Sequence, residues 1–462
     1  MLLSDTIVAI STPPGKGGVA IIRISGTDAL PIGEKLFRPK GKCRLCDNPR
    51  MQIYGYIVKG GDLIDDVMAT YFKRGSSFTG EDTVEIACHG GSFITHEILE
   101  AAMVLGARRA SAGEFTRRAF VNGKITLTDA EQIGLLLDAQ SYGQLKLSRI
   151  DARMRLRDVL SSIREALTSL LGSIYARIDY PDEDLGELSE KTIVDELTSI
   201  KKRTEALLAT YKTGHAVCEG ISTVIAGIPN AGKSTLYNML TGGDEAIVTE
   251  IAGTTRDVLH EKISIGDLML NLYDTAGIRE IGSDVIEGIG IERSKKKMAE
   301  AELILAVFDG ASEISREEEE FIRLLTESGS QKIIILSKSD IGAATGEKEK
   351  RLEAIFGSAL HITDKDPIGA VNQLKDKIAE LFNNGNIDIN TDAIISTARQ
   401  NADLYRTLDH INCALDAYSS GLSEDAASSD IELALGAIAE LEGVSVSESV
   451  VSDIFSRFCV GK

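Results

Sequence analysis

The first 120 residues alternate short apolar, β-branched runs with clusters of turn residues, a pattern typical of strands. The predicted strands have the sequences TIVAI (6–10), VAIIRI (19–24), QIYGYIV (52–58) and DTVEIAC (82–88). A helix is predicted over residues 92–105. The first segment, residues 1–120, is therefore predicted to be an α+β domain.

Residues 121–216 are predicted to be helical. Thr128 and Glu131 have the spacing of a capping box, which would start a helix. Further along, apolar residues recur every three or four positions with charged residues opposite, as in an amphipathic helix. The members of this stripe are Leu156, Leu160, Ile163, Leu167, Leu170, Ile174 and Ile178. This helix should end before Pro181, because proline cannot continue a helix.

Residues 217–384 alternate short apolar runs with helical patterns. The runs are ISTVIAG (221–227), LMLNLYD (268–274), LILAVFD (303–309) and KIIILS (332–337). Continuous apolar runs are typical of parallel strands buried on both faces. This segment is therefore predicted to be a doubly wound α/β domain.

Residues 385–462 are again predicted to be helical. Three apolar stripes at helical spacing, which include Leu404, Ile431 and Val451, mark three amphipathic helices. The Ser-, Asp- and Ala-rich stretch 417–430 is predicted to be a loop. Amphipathic helices on both sides of the α/β segment need a surface to pack on, which predicts one split helical domain with the α/β domain inserted.

Composition limits the classes of function. The chain has 462 residues, a formal net charge of −20 and a pI near 4.9, so any RNA contact would need local basic patches or a partner's basic surface. Residues 1–25 lack a secretory signal pattern, and no apolar run reaches the roughly 18 residues of a membrane span. Six cysteines in this length do not make a disulfide framework, so we expect a reduced, cytoplasmic protein.

A phosphate-binding loop is predicted at residues 227–234, because GIPNAGKS matches G-x-x-x-x-G-K-[ST]. The match follows an apolar strand and precedes a plausible helix, the context that this motif requires. Backbone N–H groups of the loop would cradle phosphates. Lys233 would reach the β- and γ-phosphates, and Ser234 would bind Mg²⁺.

Two further motifs are typical of nucleotide switches. The threonines of GTT (253–255) would reach the γ-phosphate and Mg²⁺. DTAG (274–277) closes an apolar strand, and there Asp274 would hold Mg²⁺ through water while the Gly277 N–H contacts the γ-phosphate.

A base-recognition motif is predicted at SKSD (337–340), which is similar to N-K-x-D. Asp340 would accept hydrogen bonds from guanine N1 and N2, which adenine does not offer. Ser337 stands where asparagine is usual. Its shorter hydroxyl can still bridge to the phosphate loop, but a lower guanine affinity is expected. A fifth motif is best matched by Thr363-Asp364-Lys365. The ordered motifs at strand ends predict a GTPase.

The catalytic group is not evident from the motifs. Ile278 follows DTAG, and isoleucine cannot orient the attacking water as the glutamine of Ras-like enzymes does. Either another group does so, or hydrolysis is very slow. Spacing alone does not choose among the nearby carboxylates, which are Glu280, Asp284, Glu287 and Glu292.

Taken together, GIPNAGKST, IAGTTRDVL, DTAGIRE, IGIERS and the terminal FCVGK resemble the MnmE (TrmE) family of tRNA modification GTPases. DTIVAISTPPGKGGVAIIRISG and SFTGEDTVEIACHGG resemble the amino-terminal domain of that family. The resemblance covers the whole chain, with Val460 where isoleucine is usual. It implies a multidomain α/β protein: an α+β folate-binding-like dimerisation domain (1–120), a split helical domain (121–216 and 385–462) and an inserted Ras-like P-loop GTPase domain (217–384).

The resemblance also implies a reaction. Family members work as homodimers with an MnmG-like FAD-containing partner, as a heterotetramer. They add a carboxymethylaminomethyl or aminomethyl group to carbon 5 of uridine 34 in certain tRNAs. The one-carbon unit would come from 5-formyl- or methylene-tetrahydrofolate, and the amine from glycine or ammonium.

The site residues follow by matching motifs to the family. Ser234 and Thr255 would hold Mg²⁺, and a K⁺ ion would take the place of an arginine finger. The K⁺ ligands implied are Asn230, Thr249, Ile251 and Thr254. Glu287, matched through IGIER across a one-residue insertion, would orient the water. The residues that would line GTP are Asn230, Ala231, Gly232, Lys233, Ser234, Thr235, Thr249, Glu250, Ile251, Ala252, Gly253, Thr254, Thr255, Asp274, Thr275, Ala276, Gly277, Ser337, Lys338 and Asp340.

The family resemblance also implies a folate site. Arg23, Glu85, Lys124 and Lys462 match folate-contacting positions. A carboxylate suits the amino and ring N–H groups of a pterin, and basic side chains suit carboxylates. Taken alone, each of these residues is more often a surface charge.

The carboxyl-terminal Cys459 has several interpretations. Its position four residues from the end is that of a prenylation signal, but Gly461 and Lys462 are atypical of one. The family resemblance places it in the folate pocket, where it would be catalytic or would have a structural or folate-positioning role.

Other features are weaker. Cys43-x-x-Cys46 with Cys88 and His89 is a zinc alternative, although zinc sites usually show two such pairs. Two basic runs, at 201–203 and 295–297, are more typical of solvated helix faces. An RNA contact is a hypothesis for Arg149, Arg153, Arg155 and Arg157.

Two alternative functions remain open. A ribosome-assembly switch GTPase would bind ribosomal RNA and would not need folate or Cys459. A folate-dependent one-carbon transferase with a regulatory GTPase domain would transfer its group without GTP hydrolysis.

Overall fold

The structure is a computed structural model. It describes residues 5–179, 189–242, 261–273, 298–338, 345–363, 365–382, 387–444, 447–456 and 458–461. The chain forms two compact units, residues 1–134 with 439–462 and residues 135–438. Both ends of the chain thus belong to the same unit.

The described elements are, in chain order, β1 (Ile7–Ile10), β2 (Gly17–Ser25), α1 (Ala29–Leu36), β3 (Phe37–Pro39), β4 (Gln52–Lys59), β5 (Asp62–Phe72), β6 (Thr83–Gly90), α2 (Ser92–Val104), β7 (Arg108–Arg109), α3 (Glu114–Val121), α4 (Leu127–Asp138), α5 (Tyr142–Ser148), α6 (Ile150–Asp179), α7 (Glu190–Ala209), α8 (Tyr211–Cys218), β8 (Ile221–Ala226), α9 (Lys233–Thr241), β9 (Glu261–Ile265), β10 (Leu268–Tyr273), β11 (Leu303–Asp309), α10 (Arg316–Glu327), β12 (Gln331–Ser337), α11 (Thr345–Phe356), β13 (Ala359–Ile362), α12 (Pro367–Phe382), α13 (Ala398–Ser419), α14 (Glu424–Glu442) and α15 (Glu448–Ser456). The strands predicted from the sequence are confirmed to within two residues at each end.

The first unit contains a sheet of order β3-β4-β5-β6-β2-β1-β7, antiparallel except where β7 pairs with β1. Side chains alternate between its faces. Ile22 and Ile86 therefore join the core beneath α1 and α2, while Arg23 and Glu85 lie on the opposite face. On that face Phe115 of α3 packs with residues of β1.

The second unit contains a sheet of order β13-β12-β11-β8-β10-β9. All neighbours are parallel except β9 and β10, which confirms the predicted doubly wound pattern. One face packs on α8, α9 and α12, and the other on α10 and α11. The carboxyl ends of β8, β11 and β12 meet at one edge, where ligands of such sheets bind.

Long helices complete the second unit. The apolar stripe of α6 is buried from Leu156 to Ile174, and α6 is described as far as Asp179. The predicted stop at Pro181 lies outside the described residues. Helix α7 packs against both α6 and α13, so helices from the two sides of the inserted sheet lie together. The bounds of the four predicted segments remain predictions, because the division into two units does not separate this sheet from its surrounding helices.

Two local predictions were wrong. The capping box lies two residues earlier: Thr126 and Asp129 cap α4 reciprocally, while the Thr128 hydroxyl donates to the Leu441 carbonyl. The stretch 417–430 is mostly helical, since α13 reaches Ser419 and α14 begins at Glu424. Its small residues allow close packing rather than disfavouring a helix.

Candidate nucleotide and amino-terminal sites

The phosphate loop joins β8 to α9. Its shape depends on glycine at two positions where another chain segment approaches closely. A Cβ on Gly227 would lie 2.4 Å from the Val307 carbonyl oxygen, and one on Gly232 would lie 2.8 Å from the Ser337 side chain. Gly232 also has φ +96°, and the exposed Asn230 has φ +62°, a conformation that asparagine tolerates better than most residues.

The loop combines a helix amino terminus with a lysine. The Lys233 ammonium donates to the carbonyl oxygens of Gly227 (2.9 Å) and Ile228 (2.8 Å). Burial lowers the pKa of Lys233, because the charged form loses solvation. Ser234 and Thr235 follow in the first turn of α9. The positive end of the helix and the lysine together suit an anion such as phosphate.

Ser337 joins the predicted base-recognition motif to the phosphate loop. Its buried hydroxyl lies 2.6 Å from the Ala231 carbonyl oxygen and 3.2 Å from that of Phe308. It therefore makes the bridge to the phosphate loop that was predicted from the sequence. A lower guanine affinity stays a prediction.

Lys338 makes a second connection between the same two loops. Its Nζ lies 2.9 Å from the Asn230 carbonyl oxygen and 2.6 Å from Oδ2 of Asp309. Burial would raise the pKa of Asp309, but the hydrogen bonds from Lys338 and the Ala311 N–H, with the nearby Lys348 charge, lower it overall. Sequence reasoning missed Asp309, although it stands at the carboxyl end of β11 beside the predicted site.

Part of the predicted nucleotide site lies outside the described residues, namely Thr249, Glu250, Ile251, Ala252, Gly253, Thr254, Thr255, Asp274, Thr275, Ala276, Gly277, Glu287 and Asp340. Thr363 is described and directly follows Ile362, which pairs with Ser337. The proposed fifth motif therefore begins at the correct edge of the sheet, although Asp364 lies outside the described residues.

The amino-terminal candidate site is built on strands β2 and β6. Arg23 and Glu85 are register partners, and Arg23 Nε donates to Glu85 Oε1 at 2.8 Å. The Arg23 guanidinium lies 5.6 Å from the centre of the Phe115 ring. Both charged side chains stay partly exposed, at 20% and 28%. The structure thus holds a guanidinium and a carboxylate side by side on a surface that a ligand can reach.

The carboxyl-terminal tail docks on the same unit. Val460 forms an isolated antiparallel bridge with Ala112, and the Ser11 hydroxyl donates to the Gly461 carbonyl at 3.0 Å. Ser11 directly follows β1, where Ala9 is the register partner of Arg23. The exposed Cys459 is thereby brought to the sheet region that carries Arg23, whereas Lys462 lies outside the described residues. Sequence reasoning did not identify Ser11 or Phe115.

A buried charge network holds the loop before α3, in which Ala112 and Gly113 contact the carboxyl-terminal tail. Arg118, with no exposed side-chain surface, pairs with Asp5, Glu81 and Glu114. Burial would raise the pKa of Glu114, but hydrogen bonds from Arg108, Ser111 and Arg118 lower it to about 2. Glu114 also accepts the Ser111 N–H, which fixes the loop before α3.

The remaining predicted ligands make other contacts. Lys124 donates to the Gly75 carbonyl oxygen at 2.9 Å and, among the described residues, forms no ion pair with Glu85. Among those residues, the one cluster with metal-ligand spacing is Asp65, Asp66 and His89, not the Cys43 pair. His89 is hydrogen-bonded to Asp65, which raises its pKa.

The candidate RNA-binding arginines also have structural partners. Arg149 and Arg155 both pair with Asp151 at 3.1 Å. Arg155 further donates to the carbonyl oxygens of Asp392 and Ile389, so it anchors the segment before α13. An RNA contact at these arginines stays a prediction.

Comparison with known proteins identifies the family. Residues 6–124 match the model "GTP-binding protein TrmE N-terminus", and residues 127–459 match "MnmE helical domain". A tRNA modification GTPase MnmE of Thermotoga maritima is 37% identical over 99% of this chain and 100% of its own length. The chain belongs to the MnmE family. The MnmE of Clostridioides difficile is 35% identical over the full length of both chains.

Membership of the MnmE family confirms the predicted resemblance and, with the two sheets described above, the predicted fold class. Among solved structures, the G domain of the T. maritima FeoB iron transporter matches 35% of this chain and 97% of its own, with 20% identity and a TM-score of 0.25. Within the described residues, no helix has both the length and the apolar character to cross a membrane.

Proposed function

We propose that this MnmE-family chain is a K⁺-stimulated, Mg²⁺-dependent GTPase that modifies carbon 5 of wobble uridine 34 in tRNA. It acts as a cytoplasmic homodimer with an MnmG-like FAD-containing partner and uses a folate one-carbon unit. The observation that carries the proposal is the double connection of the base-recognition loop to the phosphate loop, through Ser337 and Lys338, in a member of a family of tRNA modification GTPases.

The described residues fit GTP and its cations. Lys233 and the amino terminus of α9 supply positive charge for the phosphates, and Ser234 in the first helical turn supplies a hydroxyl for Mg²⁺. The Asn230 side chain is exposed and offers a neutral amide oxygen, a ligand that suits K⁺. Thr249, Ile251 and Thr254 would complete the K⁺ site, and Thr255 and Asp274 the Mg²⁺ site.

Catalysis would combine positive charge with an oriented water. A K⁺ ion supplies charge where negative charge develops in phosphoryl transfer. Glu287 would accept a hydrogen bond from the attacking water, the task that Ile278 cannot perform. The two G domains of the homodimer would meet at these groups.

The described residues also fit a folate. The Glu85 carboxylate can accept hydrogen bonds from the amino and ring N–H groups of a pterin. Arg23, held over Phe115, is a fixed cation for a carboxylate or carbonyl oxygen of the ligand. The docked tail holds Cys459 in the same unit, with Lys462 three residues on, while Lys124 is the fourth proposed contact.

The GTPase part is tested by hydrolysis in KCl and in NaCl at equal ionic strength, for the wild-type protein and Glu287→Ala. We expect a rate that depends strongly on K⁺ and is lost in the variant. Equal rates in the two salts would refute the cation assignment and would favour the ribosome-assembly alternative.

The modification part is tested by nucleoside mass spectrometry of tRNA incubated with the protein, its flavoprotein partner, GTP and a tetrahydrofolate donor. Cys459→Ser should lose modified uridine 34 but keep GTP hydrolysis. Cys413→Ser is the matched control, because Cys413 is also free and exposed but lies on α13. Unchanged modification in Cys459→Ser would show that Cys459 of the tail is not needed for the reaction. Modification without GTP hydrolysis would favour the one-carbon transferase alternative.

A further inference from the structure

Three charged groups that no predicted motif includes lie around the loop between β11 and α10. Asp309 ends β11, Glu318 lies in the first turn of α10, and Lys348 lies on α11. Their arrangement affects how the phosphate loop and the base-recognition loop of the nucleotide site are held together.

Asp309 is fixed from three directions. Its Oδ1 accepts the Ala311 N–H at 2.9 Å, its Oδ2 accepts from Lys338, and its own carbonyl oxygen accepts from Lys348 at 2.7 Å. A carboxylate held in this way has little freedom to follow a moving lysine. It is therefore a rigid anchor for Lys338.

The anchor is itself supported by a buried ion pair. Lys348 and Glu318 have side chains only 1% exposed, and the Lys348 ammonium lies 2.8 Å from both Glu318 oxygens. Glu318 is in turn held by a reciprocal capping box with Ser315. Buried, fully hydrogen-bonded charges of this kind define a single arrangement of the surrounding backbone.

Lys338 transmits this rigidity to the phosphate loop. It has φ +53°, and the Asn230 whose carbonyl it contacts has φ +62°. Non-glycine residues in this conformation cost free energy and persist only where neighbouring contacts hold them. The Lys338 ammonium provides such a contact between the two strained residues.

We propose that Asp309 is a positioning residue for the nucleotide: by holding Lys338 against the Asn230 carbonyl, it makes the base-recognition loop and the phosphate loop one rigid unit that slows nucleotide release. Asp309 acts through Lys338 and does not itself touch the nucleotide. The inference rests on the proposed binding of guanine nucleotide at this site.

The test is the dissociation rate of fluorescent N-methylanthraniloyl-GDP from the full-length protein, chased with excess GDP. Asp309→Asn keeps the side-chain shape but removes the charge that holds Lys338. We expect release to be ~10- to 100-fold faster, the range that one charge-assisted hydrogen bond represents. Glu319→Gln is the matched control, because Glu319 forms an exposed ion pair with Arg351 on the neighbouring helices and should release GDP at the wild-type rate.

A double-mutant cycle separates positioning from a general effect on folding. In a Lys338→Met background, Asp309→Asn should add little, because its target is already gone. Additive effects would show that Asp309 acts by another route and would overturn the proposal. Should Asp309→Asn fail to fold, Asp309→Ser, which is too short to reach Lys338, must show the same acceleration.

The outcomes also distinguish this inference from the proposed function. A wild-type protein that does not bind the labelled GDP would refute both. A wild-type protein that binds GDP, with Asp309→Asn releasing it at the wild-type rate, would refute only the role of Asp309.

Discussion

Replacing Gly461 with alanine should detach the carboxyl-terminal tail from the first unit. Gly461 has φ +102°, where an L-residue is strained by ~1 kcal/mol or more. A Cβ at this position would lie 2.5 Å from the Ile10 carbonyl oxygen and 2.9 Å from the Cα of Ser11. These are backbone atoms of a paired strand end, so the tail has to move instead.

The expected loss in the free energy of tail docking is the sum of this backbone strain and one hydrogen bond. When the tail moves, the Ser11 hydroxyl no longer reaches the Gly461 carbonyl, and that hydrogen bond is worth ~1 kcal/mol. Together the two effects come to about 2 kcal/mol, which shifts tail docking by roughly 30-fold. The global stability of the unit should change little, because Phe455 and Phe458 remain buried in the core upstream.

Amide hydrogen exchange measured by mass spectrometry reports this docking directly. The Gly113 N–H donates to the Cys459 carbonyl oxygen at 3.3 Å, so its protection depends on the docked tail. We expect peptides that contain Gly113 to exchange ~30-fold faster at this amide in Gly461→Ala.

Gly106→Ala is a control that introduces backbone strain without a steric clash. Gly106 has φ +112°, but a Cβ there would meet no atom within 4 Å. This control carries the same backbone strain and should leave Gly113 protection unchanged. Wild-type protection of Gly113 in Gly461→Ala, or equal deprotection in both variants, would refute the docking argument.

Three further outcomes are expected. The pKa of Glu114 is lowered from 4.5 to about 2 in the folded unit, so its stabilisation is complete above about 4.5 and is lost as the pH falls toward 2. The free energy of unfolding should fall by up to about 3 kcal/mol as the pH decreases through that window. Glu114→Gln should abolish this decrease. Lys348→Met should destabilise the second unit by ~3–5 kcal/mol in urea titrations, because it leaves the buried Glu318 without its ion-pair partner. The double variant Lys348→Met with Glu318→Leu should recover most of that stability. Phe455→Ala should cost the first unit ~3–5 kcal/mol by calorimetry, and a cost below ~1 kcal/mol would show that α15 contributes little to its core.

Much of this architecture follows from local pattern. Mostly apolar runs predicted β8, β10, β11 and β12 because burial on both faces leaves few polar positions in such strands. The phosphate loop was predictable because the glycines of its motif are required where the Val307 carbonyl and the Ser337 side chain approach closely.

Other features depend on contacts between distant parts of the chain, which no local pattern encodes. Asp309 looks like an ordinary strand end until Lys338, 29 residues later, is placed beside it. The docking of Gly461 on Ser11 spans 450 residues. The first turns of α14 were predicted to be a loop because the small residues at 424–430 resemble a loop in composition, whereas Ala427 and Ser428 are buried there.

The return of the chain's end to its first domain has a consequence for synthesis on the ribosome. One apolar cluster of the first unit, which includes Leu127 and Ala130 of α4, needs Phe455 of α15 and the following Phe458, yet residues 135–438 must be made before them. At ~5–20 residues per second, that gap lasts roughly 15 to 60 seconds. The nascent helices α3 and α4 must therefore wait, with the surface for α15 uncovered, while the later-made GTPase portion can finish folding first.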